Sequence, residues 1–331
     1  MNNVLVTGAS GFIGSALVSK LNALGIKPKA LVRKTSSRSN LEGSDYEPVI
    51  GSLSSEKDLE AAVAGVDTVF HLAGVVSATR DKDFFEINTD STVRLAKACL
   101  KKAPKLRRFV YASSIAAAGP SKSLEPVDEY RAPQPVSSYG KSKAMAEAFL
   151  QSVKDQLPTT IVRPPLVYGP KDTEFLHVIR SINKGVVPIL PGRNQSKEKY
   201  YSSVHVDDLC AGLISAATSD VPSGEIFFIS GDGAQSYLEM VDTMAKSLQR
   251  RALKLNLPLF AVHFVGAVSN WLNPYLKKPL PINKDKINDL MPDYWICSNK
   301  KAKELLNYQP QYQFDEGMKQ TIGWYRSKDL I

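Results

Sequence analysis

The stretch that decides the fold is Val4-Leu5-Val6-Thr7-Gly8-Ala9-Ser10-Gly11-Phe12-Ile13-Gly14, close to the amino end of the chain. Its apolar run, 4–6, predicts a buried parallel strand, and the apolar spacing over 12–24 predicts a helix that ends near Gly25. The three glycines therefore fall on a strand-to-helix turn. This placement is typical of a fold that binds a dinucleotide.

Each glycine of this turn has a separate role. Gly8 allows a tight turn, Gly11 lets the backbone approach a pyrophosphate, and Gly14 lets the helix lie against the sheet. The unpaired N–H groups and the positive dipole end of the helix then attract the phosphates.

The residue after the second predicted strand, Lys29-Ala30-Leu31-Val32, bears on the choice of cofactor. Folds that bind NAD place a carboxylate there, about 20 residues beyond the glycines. This chain has Arg33, followed by Lys34 and Arg38. Because a guanidinium binds a 2′-phosphate in a bidentate manner, the sequence predicts NADP(H) rather than NAD(H). If Arg33 and Lys34 are solvated loop charges, the cofactor could be either.

Strands and helices alternate through the first half of the chain. Further strands are predicted at 47–50, 68–72, 108–112 and 159–163, with helices at 55–64 (capped by Ser54 or Ser55) and 83–101. This alternation predicts an α/β fold, a doubly wound parallel sheet (Rossmann) with a smaller, discontiguous substrate-binding lobe. We expect the dinucleotide-binding domain to comprise 1–165, with 200–220 returning to it. Residues 166–199 and 221–331 would form mainly the lobe, with a late strand at 225–229 in the lobe or at the sheet edge.

Polar residues follow the fifth predicted strand and begin a later helix. The strand delivers Ser113 and Ser114 to the carboxyl edge of the sheet, where ligands bind. Tyr139 and Lys143 are four residues apart and share a helical face. The Lys143 ammonium, together with an oxidised nicotinamide, is expected to lower the pKa of Tyr139 from its usual value near 10. Tyr139 could then act as a general acid or base while a serine hydroxyl holds the substrate oxygen.

Other polar residues are interpreted as structural. His71 and His205 are expected to be packed rather than catalytic, and no metal site is predicted because no residues have ligand spacing. Asp207 and Asp208 are expected to cap a helix over 209–217. Asn88 could face either the active site or water.

Six motifs together resemble the extended short-chain dehydrogenase/reductases, the superfamily that includes the NAD-dependent epimerases and dehydratases. They are TGASGFIG at 7–14, HLAG at 71–74, SS at 113–114, YGKSK at 139–143, RPPLVYGP at 163–170 and VHVDDL at 204–209. The resemblance implies a catalytic triad of Ser114 (with Ser113 as the fallback), Tyr139 and Lys143, in which Lys143 also bonds the nicotinamide ribose. The cofactor would be bound by Gly8, Ser10, Gly11, Phe12, Ile13, Gly14, Arg33, Ser52, Leu53, Leu72, Ala73, Gly74, Tyr139, Lys143 and Pro164.

Departures from the family pattern narrow the range of reactions that the resemblance implies. Residues 113–116 lack the acidic trio of the dehydratases, and 116–119 lack the Val-Tyr-Gly turn of the sugar epimerases. The strings at 30–33 and 40–43 are closer to the dihydroflavonol reductase and 3β-hydroxysteroid dehydrogenase branch. Ser52 stands where the family often has an aspartate that contacts adenine.

The sequence therefore predicts an NAD(P)(H)-dependent oxidoreductase. It would move a hydride to or from a carbonyl or secondary alcohol of a fairly apolar small molecule. A sugar-nucleotide epimerase that retains NAD is the alternative within enzymes. A cofactor-binding sensor or scaffold with little turnover is the alternative from another class.

Composition frames these expectations. The chain has 331 residues, of which 43% are hydrophobic, a net charge of +9 and a pI near 9.2. This charge suits anionic ligands or membrane surfaces and does not by itself argue for nucleic acid. Three scattered cysteines and the absence of a secretory leader predict a reducing cytoplasm. The composition leaves open whether the protein forms a homodimer.

The segment 252–280 is the least family-like part, and it is unusually apolar but too interrupted to span a membrane. Basic residues flank it at Arg250, Arg251, Lys254, Lys277 and Lys278. We interpret it first as a core helix of the lobe. A surface helix near anionic lipid, a wall of an apolar pocket and a subunit contact are the alternatives.

Overall fold

The computed structural model describes residues 1–189, 198–272, 275–276 and 284–331. In chain order the strands are β1 Val4–Thr7, β2 Lys29–Val32, β3 Glu47–Ile50, β4 Thr68–His71, β5 Arg108–Ala112, β6 Thr159–Arg163, β7 Leu166–Tyr168, β8 Val186–Ile189, β9 Tyr200–Tyr201, β10 Ser203–His205, β11 Glu225–Phe228, β12 Gln235–Ser236, β13 Leu253–Asn256 and β14 Tyr294–Trp295. The helices are α1 Phe12–Ala23, α2 Glu56–Val63, α3 Asp81–Phe84, α4 Ser91–Lys102, α5 Ile115–Ala118, α6 Ser138–Ser152, α7 Glu174–Asn183, α8 Val206–Thr218, α9 Tyr237–Leu248, α10 Leu259–Leu272, α11 Lys284–Leu290, α12 Lys300–Leu306 and α13 Phe314–Ser327.

Seven parallel strands form the main sheet in the order β11-β6-β5-β4-β1-β2-β3. The strand order reverses between β1 and β4, so the carboxyl ends of these two strands flank a crevice of the kind that binds ligands. The predicted doubly wound sheet is thus confirmed. Strands β2, β3, β5 and β6 begin and end at the predicted residues, because turn residues bound each of their short runs.

Apolar side chains are buried on both faces of this sheet. On one face Leu17 and Val18 of α1 pack with Leu213 of α8. On the other, Leu59 of α2 lies in a cluster with Leu95 of α4 and Leu150 of α6. Helices therefore cover both faces, which explains why the strands read as continuous apolar runs rather than as alternating patterns.

The late strand takes the second of its two predicted positions, and one predicted helix needs correction. Residues 225–228 form the edge strand β11 beside β6, and helix α12 packs against β11 and α8. Long-range pairing decides their position, and the local pattern of a short apolar strand does not reveal it. The helix predicted over 83–101 is interrupted by a π-helical turn, Phe85–Asp90, between α3 and α4.

A third apolar cluster joins α7, α9 and α13 through residues such as Phe175, Met240 and Met318. It forms the lobe beyond the carboxyl edge of the sheet. Helix α10 contacts α11, and its side chains Phe260 and Phe264 are exposed. Its interpretation as a core helix is therefore wrong.

Residues 273–274 and 277–280 of the predicted apolar segment lie outside the described residues. In the part of the chain that is described, no helix combines the length and the apolar character needed to cross a bilayer.

Candidate active site

The turns after β1 and β4 are packed against each other. Gly8 has a φ of +71°, and a Cβ built on it would lie 2.7 Å from the backbone nitrogen of Ala73. A Cβ on Gly14 would lie 2.1 Å from the carbonyl oxygen of Gly8. Since a side chain at either position would clash with backbone, the sequence needs glycine at both.

The amino end of α1 is open to an anion. Gly11 is its N-cap and supplies no side chain, and the first turn holds no acidic residue. Free N–H groups at a helix amino end bind phosphate, so this turn fits the pyrophosphate of a dinucleotide. Phe12 and Ile13 are the first two residues of the helix and are half-buried.

A second loop lies against this turn. The Asn40 side chain donates a hydrogen bond to the carbonyl oxygen of Ser10 at 3.1 Å. The Lys171 ammonium donates to the carbonyl oxygen of Asn40 at 2.6 Å, which brings a cation from the loop after β7 to the same region. Neither contact could be inferred from sequence, because the partners are 30 residues apart in the first and 131 in the second.

The remaining predicted cofactor residues lie at the carboxyl ends of their strands. Arg33 follows β2, beside β1, and is exposed. The Ser52 N–H donates to the Asp58 carboxylate at 3.0 Å, which fixes the turn after β3, and Leu53 is half-buried there. The Leu72 N–H donates to the Thr7 carbonyl at 3.2 Å, and the Pro164 carbonyl accepts the Ile115 N–H at 2.9 Å.

Ser114 and Tyr139 come together across the ends of β5 and α6. Ser114 is the N-cap of α5, and its hydroxyl accepts the Ala116 N–H at 3.1 Å. The same hydroxyl lies within hydrogen-bonding reach of the Tyr139 phenol and lowers its pKa. The Ser113 hydroxyl is buried without a hydrogen-bond partner among the described residues, so geometry favours Ser114 for contact with Tyr139.

Burial controls the acidity of Tyr139. It raises the pKa of the phenol to about 12, since a phenolate loses its hydration inside the protein. Ser114 opposes this shift and Asp289 adds to it. The predicted lowering of this pKa also requires the charge of an oxidised nicotinamide, so it stays a prediction.

Lys143 lies at the centre of the site. Its ammonium donates to the Ala112 carbonyl at 2.8 Å and lies 4.9 Å from the centroid of the Tyr111 ring. Burial lowers the pKa of Lys143 to about 8, and the carboxylate of Glu147 partly opposes the shift. A Cβ on Gly74 would lie 3.3 Å from the Lys143 nitrogen, so the ammonium reaches the turn after β4.

These residues thus place an open helix amino end, a serine, a phenol and an ammonium at one edge of a parallel sheet. The profile of the NAD-dependent epimerase/dehydratase family matches residues 4–230. The chain belongs to this family. Family membership makes it an enzyme of the NAD-dependent, extended short-chain dehydrogenase/reductase type.

Relatives of the chain include reductases and dehydrogenases of apolar molecules. A ceramide reductase of Caulobacter vibrioides is 26% identical and covers 98% of this chain and 94% of its own. A 4-hydroxy-2-methyl-3-oxo-4-farnesyl-3,4-dihydroquinoline-1-oxide ketoreductase of Stigmatella aurantiaca is 32% identical, with 74% and 72% coverage. A 3-beta-hydroxysteroid dehydrogenase of Mycolicibacterium neoaurum is 26% identical, with 98% and 92% coverage, which supports the predicted branch.

Solved structures of the family have the same fold. MoeE5 in complex with UDP-glucose and NAD superposes with a TM-score of 0.78 at 25% identity, over 99% of both chains. The family is NAD-dependent, and this neighbour binds a sugar nucleotide together with NAD.

Asn88 is a residue of this epimerase/dehydratase chain whose orientation the sequence left open. Its side chain accepts the Val75 N–H at 2.8 Å and donates to the Val75 carbonyl and the Ser142 hydroxyl, both at 3.0 Å. It therefore clamps the turn after β4 to the helix that carries Tyr139. Its spacing from Thr92 and Leu95, four and seven residues on, placed it on the buried face and could have revealed this role.

Two carboxylates of α11 were not predicted at the site at all. Asp285 accepts the Ser138 N–H at 2.5 Å and the Tyr139 N–H at 3.2 Å, so it caps α6 from the lobe. Burial raises the pKa of Asp289 to about 6, and one of its carboxylate oxygens has no hydrogen-bond partner among the described residues. No local sequence pattern predicts the contacts of Asp285 with α6, because their partners are 147 and 146 residues apart.

The histidines are packed. His71 is buried, with Nδ1 2.7 Å from the Thr7 hydroxyl and Nε2 2.9 Å from that of Thr92, and burial lowers its pKa to about 3. His205 is the N-cap of α8, because its ring accepts the Asp207 N–H at 3.3 Å. The predicted capping by Asp207 and Asp208 is therefore wrong.

Asp208 instead accepts the N–H groups of Gln311 and Tyr312, both at 3.0 Å. It ties α8 to the loop before α13, a contact that no sequence pattern indicates.

A buried ion pair joins helix α6 to the end of β6. Arg163 at the end of β6 donates two hydrogen bonds to Glu147 of α6, at 2.9 and 2.5 Å. A cavity of about 290 Å³ adjoins the pair and contains none of Ser114, Tyr139 and Lys143. The ion pair fixes the helix one turn beyond Lys143.

Proposed function

We propose that this protein is an NADP(H)-dependent reductase or dehydrogenase that interconverts a carbonyl and a secondary alcohol on an apolar small molecule. The observation that supports the proposal is that Ser114 lies within hydrogen-bonding reach of Tyr139, while Lys143 on the same helix reaches the Ala112 carbonyl and the turn after β4. When bound, the nicotinamide cofactor supplies or accepts the hydride.

Tyr139 handles the proton. In reduction its phenol donates a proton to the substrate oxygen, and in oxidation it accepts one. Because burial raises its pKa to about 12, the phenol is protonated at neutral pH, which suits the reducing direction. Ser114 holds the substrate oxygen, and the Lys143 ammonium stabilises the phenolate left after proton transfer.

An apolar substrate is supported by the surroundings of Tyr139. Its ring centroid lies 6.1 Å from that of Phe84. It also packs on a cluster that includes Ile115, Phe228 and Trp295. The ceramide, farnesyl ketone and hydroxysteroid in the names of the relatives belong to the same chemical class.

A preference for NADP(H) is supported by Arg33. It is the first residue after β2, it is exposed, and no carboxylate stands in its place. The Arg33 guanidinium would bind the 2′-phosphate. Lys171 adds a second positive charge near the pyrophosphate turn.

The test is hydride transfer from NADPH deuterated at nicotinamide C4. The purified protein is incubated with ketones of increasing chain length, ring systems included, and the products are analysed by mass spectrometry. We expect deuterium in the alcohol of apolar ketones. The matched control supplies NADH deuterated at the same position and should give slower transfer.

The same incubations, with sugar nucleotides added, distinguish this proposal from the two alternative functions. Protein-bound NAD that survives purification, with interconversion of UDP-glucose and UDP-galactose, would replace this proposal with a sugar-nucleotide epimerase. Binding of NADPH without turnover of any ketone or sugar nucleotide would favour a sensor or scaffold.

A further inference from the structure

Among the side chains of helix α10 that the structure describes, both phenylalanines are on the outside. The buried residues of that set, Val262, Gly266 and Ser269, are mostly small. Gly266 meets α11 so closely that a Cβ there would lie 2.1 Å from the Ile287 Cδ1. A surface helix normally turns its polar residues outward, so this arrangement is inverted.

The outward face of α10 is apolar. Phe260 is 76% exposed and Phe264 is 68% exposed, and Val268 continues the row at the same spacing of four residues. The preceding strand, β13, adds exposed Leu253 and Leu255. We call this set, with Val265, the α10 face. The row on α10 is contiguous through its spacing of four residues, and contiguous exposed apolar surface marks an interaction site.

Positive charge flanks the α10 face in the sequence. From 243 to 284 the sequence contains no Asp or Glu and seven Lys or Arg residues. Of these, Arg250 and Arg251 are exposed just before β13, whereas Lys254 pairs with Asp242 at 2.7 Å. No charged residue lies on α10 itself. An apolar face between cations matches a helix that lies in the headgroup region of an anionic membrane.

We propose that the α10 face docks this protein on the surface of an anionic lipid bilayer. A second copy of the chain would bring the same positive charges together, so charge disfavours self-association through this face. At 14 residues, α10 rises about 21 Å, which is less than the roughly 30 Å of a hydrocarbon core. The helix therefore lies in the plane of the interface.

The α10 face lies close enough to the active site for membrane docking to deliver an apolar substrate. This step rests on the proposed function. Helix α10 packs on α11, and Asp285 of α11 bonds the backbone of Ser138 and Tyr139. Only one helix thus separates the α10 face from the catalytic helix. An apolar ketone could pass from the bilayer into the site along this path.

Flotation of the full-length protein with vesicles tests the proposal. Phosphatidylcholine vesicles are compared with vesicles that also contain phosphatidylglycerol. We expect binding to the anionic vesicles that weakens with added salt. The double variant Phe260→Ser/Phe264→Ser should bind at least about tenfold more weakly, since two aromatic side chains no longer enter the interface. Arg250→Glu/Arg251→Glu should weaken binding about thirtyfold or more, at about fivefold per cation lost.

The matched control is Leu24→Ser/Leu124→Ser, because these leucines are 58% and 57% exposed and lie outside the lobe. It should float as the wild type does. Equal flotation of the wild type and the phenylalanine variant would overturn the proposal. So would a dimer in sedimentation that this variant splits, without vesicle binding by the wild type.

Activity on a short, water-soluble ketone separates this proposal from the proposed function. Reduction of that ketone without vesicle binding would remove only the docking proposal. Vesicle binding without reduction of any ketone would remove only the proposed function.

Discussion

The main sheet buries its large apolar side chains, whereas helix α10 exposes two of its own. In the sheet, Phe109 and Tyr111 of β5 are fully buried under helices. In α10, Phe260 and Phe264 face outward while Gly266 faces the protein. Packing within the protein thus accounts for the apolar side chains of the sheet. Those of α10 are accounted for only by contact with an external apolar partner.

The candidate active site lies between the main sheet and α11, the helix on which α10 packs. Tyr139 and Lys143 stand on a helix that packs on the sheet, and Asp285 reaches that helix from the lobe. We therefore expect the chemistry to depend on the sheet side, and substrate access and positioning to depend on the lobe side. The four predictions that follow test this division.

Replacing the phenol should have the largest effect. Tyr139→Phe removes the proton donor and should lower kcat for ketone reduction by about 10²- to 10⁴-fold. Single-turnover oxidation of NADPH, followed by absorbance, measures this. The Kd for NADPH should change little, because the glycine turn is untouched. A variant that keeps most of its rate would contradict the role of Tyr139.

The two regions should differ in stability when an aromatic side chain is truncated. Phe109→Ala empties a buried position and should lower the free energy of unfolding by about 3–5 kcal/mol. Phe264→Ala, at an exposed position, should change it by at most about 0.5 kcal/mol. Urea denaturation followed by circular dichroism compares the two. A large loss for Phe264→Ala would mean that α10 is part of the core after all.

Cofactor choice should respond to a single charge. Arg33→Asp removes the guanidinium and adds a carboxylate, so the Kd for NADPH should rise about 10- to 100-fold. The Kd for NADH should change much less. Fluorescence titration with both cofactors measures the ratio. Arg38→Asp provides a control for the loss of positive charge in the same loop, and an equal effect of both variants would contradict a specific role for Arg33.

The link from the lobe to the catalytic helix should have the smallest effect. Asp285→Asn keeps the shape but removes the negative charge at the amino end of α6, and it should cost about 1 kcal/mol of stability. A thermal melt detects this as a lower Tm. Asn288→Ala, exposed on the same helix, is the matched control and should leave Tm unchanged. Identical melts for the two variants would show that Asp285 does not cap α6.

The sequence was most informative where the deciding interactions are local. The apolar runs of β2 and β5 sit between turn residues, so their ends could be predicted to the residue. Tyr139 and Lys143 could be paired because helical geometry sets four residues on one face.

Long-range contacts were not predictable in this way. The pairing of β11 with β6, the hydrogen bonds of Asp208 to 311–312 and the capping of α6 by Asp285 each join distant parts of the chain. The burial that raises the pKa of the Tyr139 phenol likewise depends on the whole fold and has no local sequence pattern.

The π-helical turn at Phe85–Asp90 has a consequence for how this protein can vary. Such a turn holds one residue more than an α-helix needs, and its backbone bonds are poorer. The Asn88 side chain compensates by clamping Val75 and Ser142. Deleting one residue here would regularise the helix and leave the flanking segments in place, but it would change which residues of the turn itself face inward. Asn88 would then lose its grip on the loop, so this stretch should resist length changes that the surface loops tolerate.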